Sequence, residues 1–338
     1  MACYEPIPCW TIEGALTDNG KKKIFFCETT ESIEAHPGFE RLYVPCGQCI
    51  GCRLDYAKQW AARISKEAQA YPNNAFVTLT YNDLNLPFKE YINQNTGELI
   101  TGNPLEKDAI SKFIKRLRRQ YEYHNWGVGI RYFGCGEYGG RTGRPHYHLA
   151  LLNYDATAPD DIKLLPRQSK SGYPLFTSEY LERLWGKGFV TIGELTPQSA
   201  GYIARYMLKK QKGVKKEWYY ESQGKIPELT RVSNRPGIAR EWFEQNIDEL
   251  IQTDTIYISQ RGKEPMKLHT PAYGMKIMEE LRPEDYLRVK EARKKKAEMA
   301  KQLKLSRTTL DEWQQLKVEE AQQQQRAKLL VRNYENSQ

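Results

Sequence analysis

The stretch of sequence that most constrains the fold is Arg144-Pro145-His146-Tyr147-His148-Leu149-Ala150-Leu151-Leu152. It ends in an apolar run, which is typical of a buried β-strand. Because alternate residues of a strand point to the same face, His146 and His148 would present two imidazoles side by side. Imidazole is a common ligand of divalent transition metals, and Glu137, just upstream, could add a carboxylate from the neighbouring strand end. The alternative is that both histidines are structural residues of the strand.

Around this stretch the sequence predicts strands and helices in an order typical of α+β proteins. The predicted strands are residues 76–81, 127–135, 146–152 and 188–192, and the predicted helices are residues 53–70, 105–123, 178–185 and 196–210. Residues 82–104 are predicted to form a loop with a small hairpin, and residues 154–176 a polar loop. This order predicts an open, largely antiparallel sheet with helices packed on one face.

The helix predicted at residues 196–210 carries a second chemical signal. Tyr202 and Tyr206 lie one turn apart and share a polar sector of the helix with Arg205 and Lys209. Two phenols beside two cations suggest two interchangeable nucleophiles aimed at a phosphate. The alternative is an ordinary packing pair of half-buried aromatic residues.

Three of the seven cysteines lie in one short run, Cys46-Gly47-Gln48-Cys49-Ile50-Gly51-Cys52. This spacing lets thiolates converge on Zn²⁺, which takes four ligands in structural sites. The fourth ligand would come from elsewhere, and the candidates are Cys3, Cys9, Cys27 and His36. A structural zinc site at Cys46, Cys49 and Cys52 and a set of free thiols around a tight turn are both open. The odd cysteine count argues against a disulfide scaffold and favours a reducing compartment.

Composition favours a globular protein with a polyanionic partner. The chain has 338 residues and a net charge of +9, with a pI of about 9.0, and a basic balance of this kind is common in nucleic-acid-binding proteins. Hydrophobic residues make up 40% of the sequence, which is enough for a buried core. No apolar run reaches the length of a membrane span, and the start of the chain lacks the pattern of a signal peptide.

The sequence predicts four segments. Residues 1–52 form a cysteine-containing N-terminal segment, and residues 53–212 carry the strands, helices and chemical motifs. Residues 213–280 are predicted to be an accessory region. Residues 281–338 are predicted to be a charged helical extension, which could act as a basic arm on nucleic acid or as a protein-contact helix.

Three motifs in this order resemble those of the HUH endonucleases, metal-dependent nucleases that start rolling-circle replication. The motifs are Thr78-Leu79-Thr80-Tyr81, His146-Tyr147-His148, and Tyr202-Ile203-Ala204-Arg205-Tyr206 with Lys209. The two-tyrosine helix is similar to the two-nucleophile class, found in initiators of small single-stranded DNA phages. Pro45–Arg53 and Gly136–Leu152 resemble the gokushovirus branch of the Microviridae. The resemblance covers roughly residues 45–212 and makes residues 53–212 the expected HUH nicking domain.

The resemblance implies a site-specific DNA endonuclease and strand transferase. A tyrosine would attack the scissile phosphate of single-stranded origin DNA, which leaves the protein on the 5′ phosphate and frees a 3′-OH. Lys209 or Arg205 would stabilise the phenolate, because a free phenol is mostly protonated at neutral pH. The covalent link conserves the bond energy, so that the strand can be rejoined without ATP. The second tyrosine of the pair Tyr202 and Tyr206 would cut the regenerated origin.

The resemblance also implies a cofactor and partners. A Mg²⁺ or Mn²⁺ ion on His146, His148 and Glu137 would stabilise charge on the phosphate oxygens. The expected partners are the single-stranded origin, a host helicase and host replication proteins, and the expected location is the host bacterial cytoplasm, with no membrane. Two alternatives are a non-enzymatic single-stranded nucleic-acid-binding protein and a metal-dependent phosphodiesterase that uses water. Metal ligands and nucleophiles in ordered motifs favour the nicking enzyme over the binding protein, because binding needs neither.

Overall fold

The structure is a computed structural model of the chain, and it describes residues 3–18, 20–93, 96–124, 126, 129–169, 172–205, 216–260 and 262–335. The chain forms two compact units. The smaller unit comprises residues 1–55 and 303–331, and the larger comprises residues 56–302 and 332–338. The four segments inferred from the sequence divide the chain by chemistry, and that division stays a prediction.

Strands and helices alternate along most of the described chain. The strands are β1 (Ile7–Ile12), β2 (Phe39–Val44), β3 (Asn74–Tyr81), β4 (Lys89–Ile92), β5 (Leu99–Gly102), β6 (Arg131–Tyr138), β7 (Pro145–Leu152), β8 (Ile162–Gln168), β9 (Pro174–Ser178), β10 (Gly188–Glu194), β11 (Leu229–Val232), β12 (Thr255–Gln260) and β13 (Lys263–His269). The helices are α1 (Glu31–Glu34), α2 (Ile50–Ala68), α3 (Ala109–Tyr123), α4 (Glu179–Trp185), α5 (Pro197–Arg205), α6 (Lys216–Glu221), α7 (Arg240–Gln245), α8 (Ile247–Thr253), α9 (Ala272–Leu281), α10 (Pro283–Leu305) and α11 (Glu312–Glu335).

The larger unit is built on a seven-stranded sheet with the strand order β11-β6-β7-β3-β10-β9-β8. Every neighbouring pair in this sheet is antiparallel. The predicted α+β class with a largely antiparallel sheet is therefore confirmed, and so is the small hairpin within residues 82–104, which is formed by β4 and β5. Among the described helices, none combines the length and apolar character that a membrane crossing requires.

Helices cover both faces of this sheet, so the prediction of helices on one face was wrong. On one face, Val77, Leu79 and Leu149 pack with Phe113 of α3 and Trp185 of α4. On the opposite face, a second cluster contains Ile64 of α2, Phe133, Cys135, Ala150, and Ala200 and Ile203 of α5. The reason lies in β7, every residue of which is buried. A strand buried on both sides carries a continuous apolar run rather than an alternating pattern.

Two boundaries also differ from the sequence prediction. Strand β6 continues through Glu137 to Tyr138, although glycines in this segment suggested a loop. Gly136 is needed inside the strand because a Cβ at this position would lie 2.9 Å from the Tyr147 ring. The predicted polar loop at 154–176 instead contains β8 and most of β9, which pair at the edge of the sheet. Cross-strand pairing, which a local pattern does not report, decides both cases.

The smaller unit contains the β1–β2 hairpin and most of α11. Trp10 stacks on Phe25 with ring centroids 4.4 Å apart, and Tyr43 packs edge-on against Trp313 at 5.4 Å. Among the described residues of this unit, the buried hydrophobic side chains are those of Cys9, Trp10, Cys49 and Cys52. Its apolar core is therefore small.

The position of Leu149 in the sheet predicts a large effect of its truncation on stability. Leu149 is fully buried at the centre of β7, whereas Leu84 is 95% exposed. We expect Leu149→Ala to lower the free energy of unfolding by about 2–5 kcal/mol, because it removes apolar contacts and leaves a cavity. Leu84→Ala makes the same chemical change and should stay within about 0.5 kcal/mol of the parent. Urea denaturation of both variants measures the difference, and equal midpoints would contradict this description of the core.

Candidate active site

Three potential metal ligands meet on two neighbouring strands. Glu137 lies on β6 directly opposite His146 of β7, and His148 follows two residues later on the same face. Directly opposite residues of an antiparallel pair have their Cβ atoms close together. The ligand atoms of Glu137, His146 and His148 all lie within 4.8 Å of one another. The structure therefore brings together the three residues that the sequence singled out.

These three side chains are almost completely buried. Their exposed fractions are 1% for Glu137, 6% for His146 and 3% for His148. Glu137 Oε1 lies 2.7 Å from His146 Nε2 and 3.2 Å from His148 Nε2. Burial by itself would raise the pKa of Glu137, but the hydrogen bonds and positive charge of the two imidazoles outweigh it and lower the pKa to about 2. The carboxylate is therefore ionised at neutral pH.

The far side of each imidazole ring is held by its own partner. His146 Nδ1 lies 3.2 Å from the carbonyl oxygen of Arg144, and His148 Nδ1 lies 2.9 Å from the Thr78 hydroxyl. A carbonyl only accepts, so Nδ1 of His146 donates, and the Thr78 hydroxyl can accept in the same way from His148. In a neutral ring this tautomer leaves a lone pair on Nε2.

The resulting set of donors fits a divalent cation. Two Nε2 lone pairs directed at an ionised carboxylate oxygen repel it unless a proton or a cation lies between them. Two imidazoles with one carboxylate also form a common catalytic metal-binding set, in which three protein ligands leave further coordination positions for substrate. The structure thus contains a candidate metal centre at Glu137, His146 and His148.

Sequence analysis quoted Thr78 as part of a motif but gave it no role. Thr78 pairs with His148 in the β3–β7 ladder, which places its hydroxyl behind the ring. Tyr81 of the same motif points to the opposite face, where its hydroxyl lies 3.0 Å from that of Tyr147. Strand alternation could have separated these two residues, but the partner of Thr78 depends on the register of β3 against β7.

Tyr202 lies beside the candidate metal centre. Its ring centroid is 5.5 Å from that of His148 and 6.1 Å from that of Phe76. Helix α5 holds it there because Ala200 and Ile203, on the adjoining side of the helix, are buried in the core. The ring itself is half-buried, so its hydroxyl end is on the accessible side of the cluster.

The start of α5 is fixed by reciprocal hydrogen bonds. The Thr196 hydroxyl accepts from the backbone N–H of Ser199 at 3.1 Å, and the Ser199 hydroxyl accepts from the backbone N–H of Thr196 at 2.8 Å. This arrangement is that of a capping box. Arg205 is the last described residue of α5 and is half-buried. Tyr206 and Lys209 lie outside the described residues, so their assigned roles stay predictions.

The cysteine run forms a separate cluster in the smaller unit. The Sγ atoms of Cys46, Cys49 and Cys52 lie within 4.8 Å of one another and of the Cys3 Sγ atom. The sequence left the fourth position open, and the structure places Cys3 there. Cys9 is occupied elsewhere, since its thiol donates to the Leu42 carbonyl at 3.5 Å.

Comparisons with known proteins agree with one another. The family model for the ORF2 type of replication-associated protein matches residues 74–211. Replication-associated protein ORF2 of Spiroplasma virus 4 is 38% identical over 305 residues, which cover 88% of this chain and 87% of that protein. Replication-associated protein VP4 of Bdellovibrio phage phiMH2K is 29% identical, with 75% of each chain covered. Replication-associated protein ORF4 of Chlamydia phage 1 is 30% identical over 49% of this chain and 38% of that protein. No solved structure matches significantly.

The matched segment coincides with the candidate site. Residues 74–211 begin at the start of β3 and include β6, β7 and α5, the elements that carry Thr78, Glu137, His146, His148 and Tyr202. The similarity to the Spiroplasma virus 4 protein extends over nearly the whole of both chains. This chain therefore belongs to the ORF2-type family of replication-associated proteins of small bacteriophages.

Proposed function

We propose that this protein is a rolling-circle replication initiator that nicks single-stranded origin DNA with a tyrosine nucleophile. It remains joined to the 5′ phosphate and later rejoins the ends. The observation that carries the proposal is the contact between Tyr202 and His148, whose ring centroids lie 5.5 Å apart. This contact puts a phenol next to a buried cluster of metal-ligand side chains. Together they supply a nucleophile and a site for phosphate charge.

The His146, His148 and Glu137 side chains would hold Mg²⁺ or Mn²⁺. When bound, such an ion stabilises the negative charge that develops on the phosphate oxygens. The chain contributes the geometry: Thr78 and the Arg144 carbonyl fix the ring orientations, and these outer contacts usually matter for metal affinity. Burial of Glu137 keeps water from competing for its carboxylate.

The transfer step balances within the protein and the DNA. The tyrosine oxygen forms a bond to the scissile phosphorus, the bond from phosphorus to the 3′ oxygen breaks, and that oxygen leaves as a 3′-OH. The phenol loses its proton, and Arg205 and Lys209 are the cations that we assign to stabilising the phenolate. In rejoining, a 3′-OH attacks the phosphotyrosine and the tyrosine leaves. Tyr206 would serve as the second nucleophile.

The rest of the proposal follows from this chemistry. The net charge of +9 suits a single-stranded DNA substrate. We place the protein in the host bacterial cytoplasm, where it would work with a host helicase and host replication proteins. A metal-dependent phosphodiesterase that activates water would use the same ligands, but it would leave no protein–DNA adduct. A protein that only binds DNA would not need a buried carboxylate between two imidazoles, because burying these groups costs free energy.

We predict that the histidines are needed for cleavage and not for DNA binding. His146→Ala and His148→Ala should each reduce nicking of a labelled single-stranded origin by at least about 100-fold, since charge stabilisation on the phosphate is lost. Affinity for the same strand, which depends on basic surface charge, should change little. His36→Ala is the matched control, because His36 is exposed and lies in the other unit. Normal nicking by a folded His146→Ala/His148→Ala variant would remove the metal centre from the mechanism.

Thr78 provides a finer test of the same centre. Thr78→Val keeps the shape of the side chain but removes the hydroxyl that orients His148, so Mn²⁺ affinity should fall roughly 10–100-fold. Thr78→Ser should retain the parent affinity, and Thr101→Val, on an exposed hairpin position, serves as the control. Electron paramagnetic resonance of free Mn²⁺ measures the dissociation constant. Raised Mn²⁺ should restore nicking by Thr78→Val, and a defect that no metal concentration rescues would contradict a positioning role.

The two tyrosines predict a distinct pattern of adducts. Tyr202→Phe and Tyr206→Phe should each retain some single-strand cleavage but fail in repeated cycles, because the second transfer lacks its phenol. The double variant should bind DNA without forming any covalent adduct. Tyr123→Phe, at a residue that is 78% exposed on α3, is the control. Mass spectrometry of the adduct peptide identifies the nucleophile, and a phosphonucleotide on any other residue would rule out this mechanism.

A further inference from the structure

Four thiols of the smaller unit meet at one point. The Sγ atoms of Cys3, Cys46, Cys49 and Cys52 all lie within 4.8 Å of one another, and the four residues are free cysteines. Cys3 Sγ and Cys49 Sγ are 4.0 Å apart. Three of the thiols come from the turn before α2 and from its first residues, whereas Cys3 comes from the beginning of the chain. Tertiary structure alone brings the fourth thiol to the other three.

Backbone N–H groups point at these sulfur atoms. The contacts are Cys46 N to Cys3 Sγ at 3.2 Å, Gln48 N and Cys49 N to Cys46 Sγ at 3.3 and 3.2 Å, Tyr4 N to Cys49 Sγ at 3.3 Å, and Cys52 N to Cys49 Sγ at 3.5 Å. A neutral thiol is a weak acceptor, so donors aimed at sulfur favour the thiolate form. Neighbouring thiolates repel one another in a partly buried cluster unless a cation compensates their charge.

We propose that Cys3, Cys46, Cys49 and Cys52 bind a structural zinc ion that anchors the N-terminus to the first turn of α2. Four thiolates are a closed ligand set for tetrahedral Zn²⁺, with no position left for substrate. A tetrahedral ion with a Zn–S distance of about 2.3 Å holds its sulfurs about 3.8 Å apart, which agrees with the Cys3–Cys49 separation. An iron–sulfur cluster distributes its cysteines over several iron atoms and needs wider spacing.

The size of the unit supplies a reason for the zinc. Its described residues contain few buried hydrophobic side chains, and two of these are the ligands Cys49 and Cys52. Small units that cannot bury a sufficient core commonly depend on a metal or on disulfides. The cluster also lies where α11 returns, because the Glu320 carboxylate accepts a hydrogen bond from the backbone N–H of Ile50, next to Cys49. A metal there would hold the N-terminus, α2 and α11 together.

The two metal centres differ in donor chemistry, so they can be tested separately. Thiolates select soft or borderline ions such as Zn²⁺, whereas the carboxylate and imidazoles of the larger unit accept Mg²⁺ or Mn²⁺. Zinc on the cysteines should therefore survive dialysis against excess Mn²⁺. This inference is independent of the nicking mechanism and is tested without measuring nicking.

The test uses full-length protein purified under reducing conditions. Elemental analysis should find about one zinc ion per chain, and exchange for Co²⁺ should give an intense thiolate-to-cobalt charge-transfer band with the visible bands of a tetrahedral site. Cys3→Ser should weaken zinc binding by at least about 10-fold and lower the melting temperature. Cys27→Ser is the matched control, because Cys27 lies in the same unit, is exposed and is outside the cluster.

Three results would overturn the proposal. One is parent protein without zinc that also gives no thiolate band with Co²⁺. A second is detection of disulfide bonds among the four cysteines in the protein as purified. The third is a Cys3→Ser variant with the zinc affinity of the parent, which would exclude Cys3 as a ligand. If Cys3→Ser does not fold, the cobalt spectrum of the parent protein decides the question alone.

Discussion

The register between β6 and β7 is the constraint on which the candidate site depends. It places Glu137 opposite His146, so that one carboxylate oxygen reaches two imidazoles. A slip of one residue would move Glu137 to the opposite face of the sheet, because side chains alternate along a strand. The far face resists such a slip, since the Tyr147 ring lies over Gly136, where a Cβ would clash. Packing on one face therefore fixes chemistry on the other.

Strand β7 serves both faces at once. Tyr147, Leu149 and Leu151 belong to the core beneath α3 and α4, while His146 and His148 lie on the face covered by α2 and α5. The Tyr147 hydroxyl is itself anchored, because it accepts a hydrogen bond from the backbone N–H of Glu106 at 2.8 Å. The site is rigid for this reason: its ligands are alternate residues of a strand that the core already immobilises. Preorganised ligands need no rearrangement when substrate arrives.

Helix α5 connects the fold to the proposed reaction. Its buried residues Ala200 and Ile203 seat it on the sheet, and the neighbouring Tyr202 is thereby held against His148. The two metal centres that we propose divide the work by donor type. The imidazole–carboxylate set leaves room for a phosphate oxygen, whereas the four thiolates form a closed set suited to a structural ion. A chain of this kind can use a hard ion for chemistry and a softer one for folding.

Much of this protein was determined by the sequence alone, because its signals are local. The spacing of His146 and His148 placed both rings on one face, the apolar run after them predicted a buried strand, and the motif order indicated the replication-associated family. Strand boundaries around Glu137 and the hairpin of β8 and β9 were missed, since pairing with distant strands decides them. Tyr206 and Lys209 lie outside the described residues and are known only from the sequence.

Only the tertiary structure decided which distant groups complete each cluster. It selected Cys3 from four candidates for the fourth thiol, placed Thr78 behind His148, and put helices on both faces of the sheet. The physical reason is the same in each case. Spacing along the chain fixes which side chains share a face, but register and packing between remote segments fix what those side chains meet.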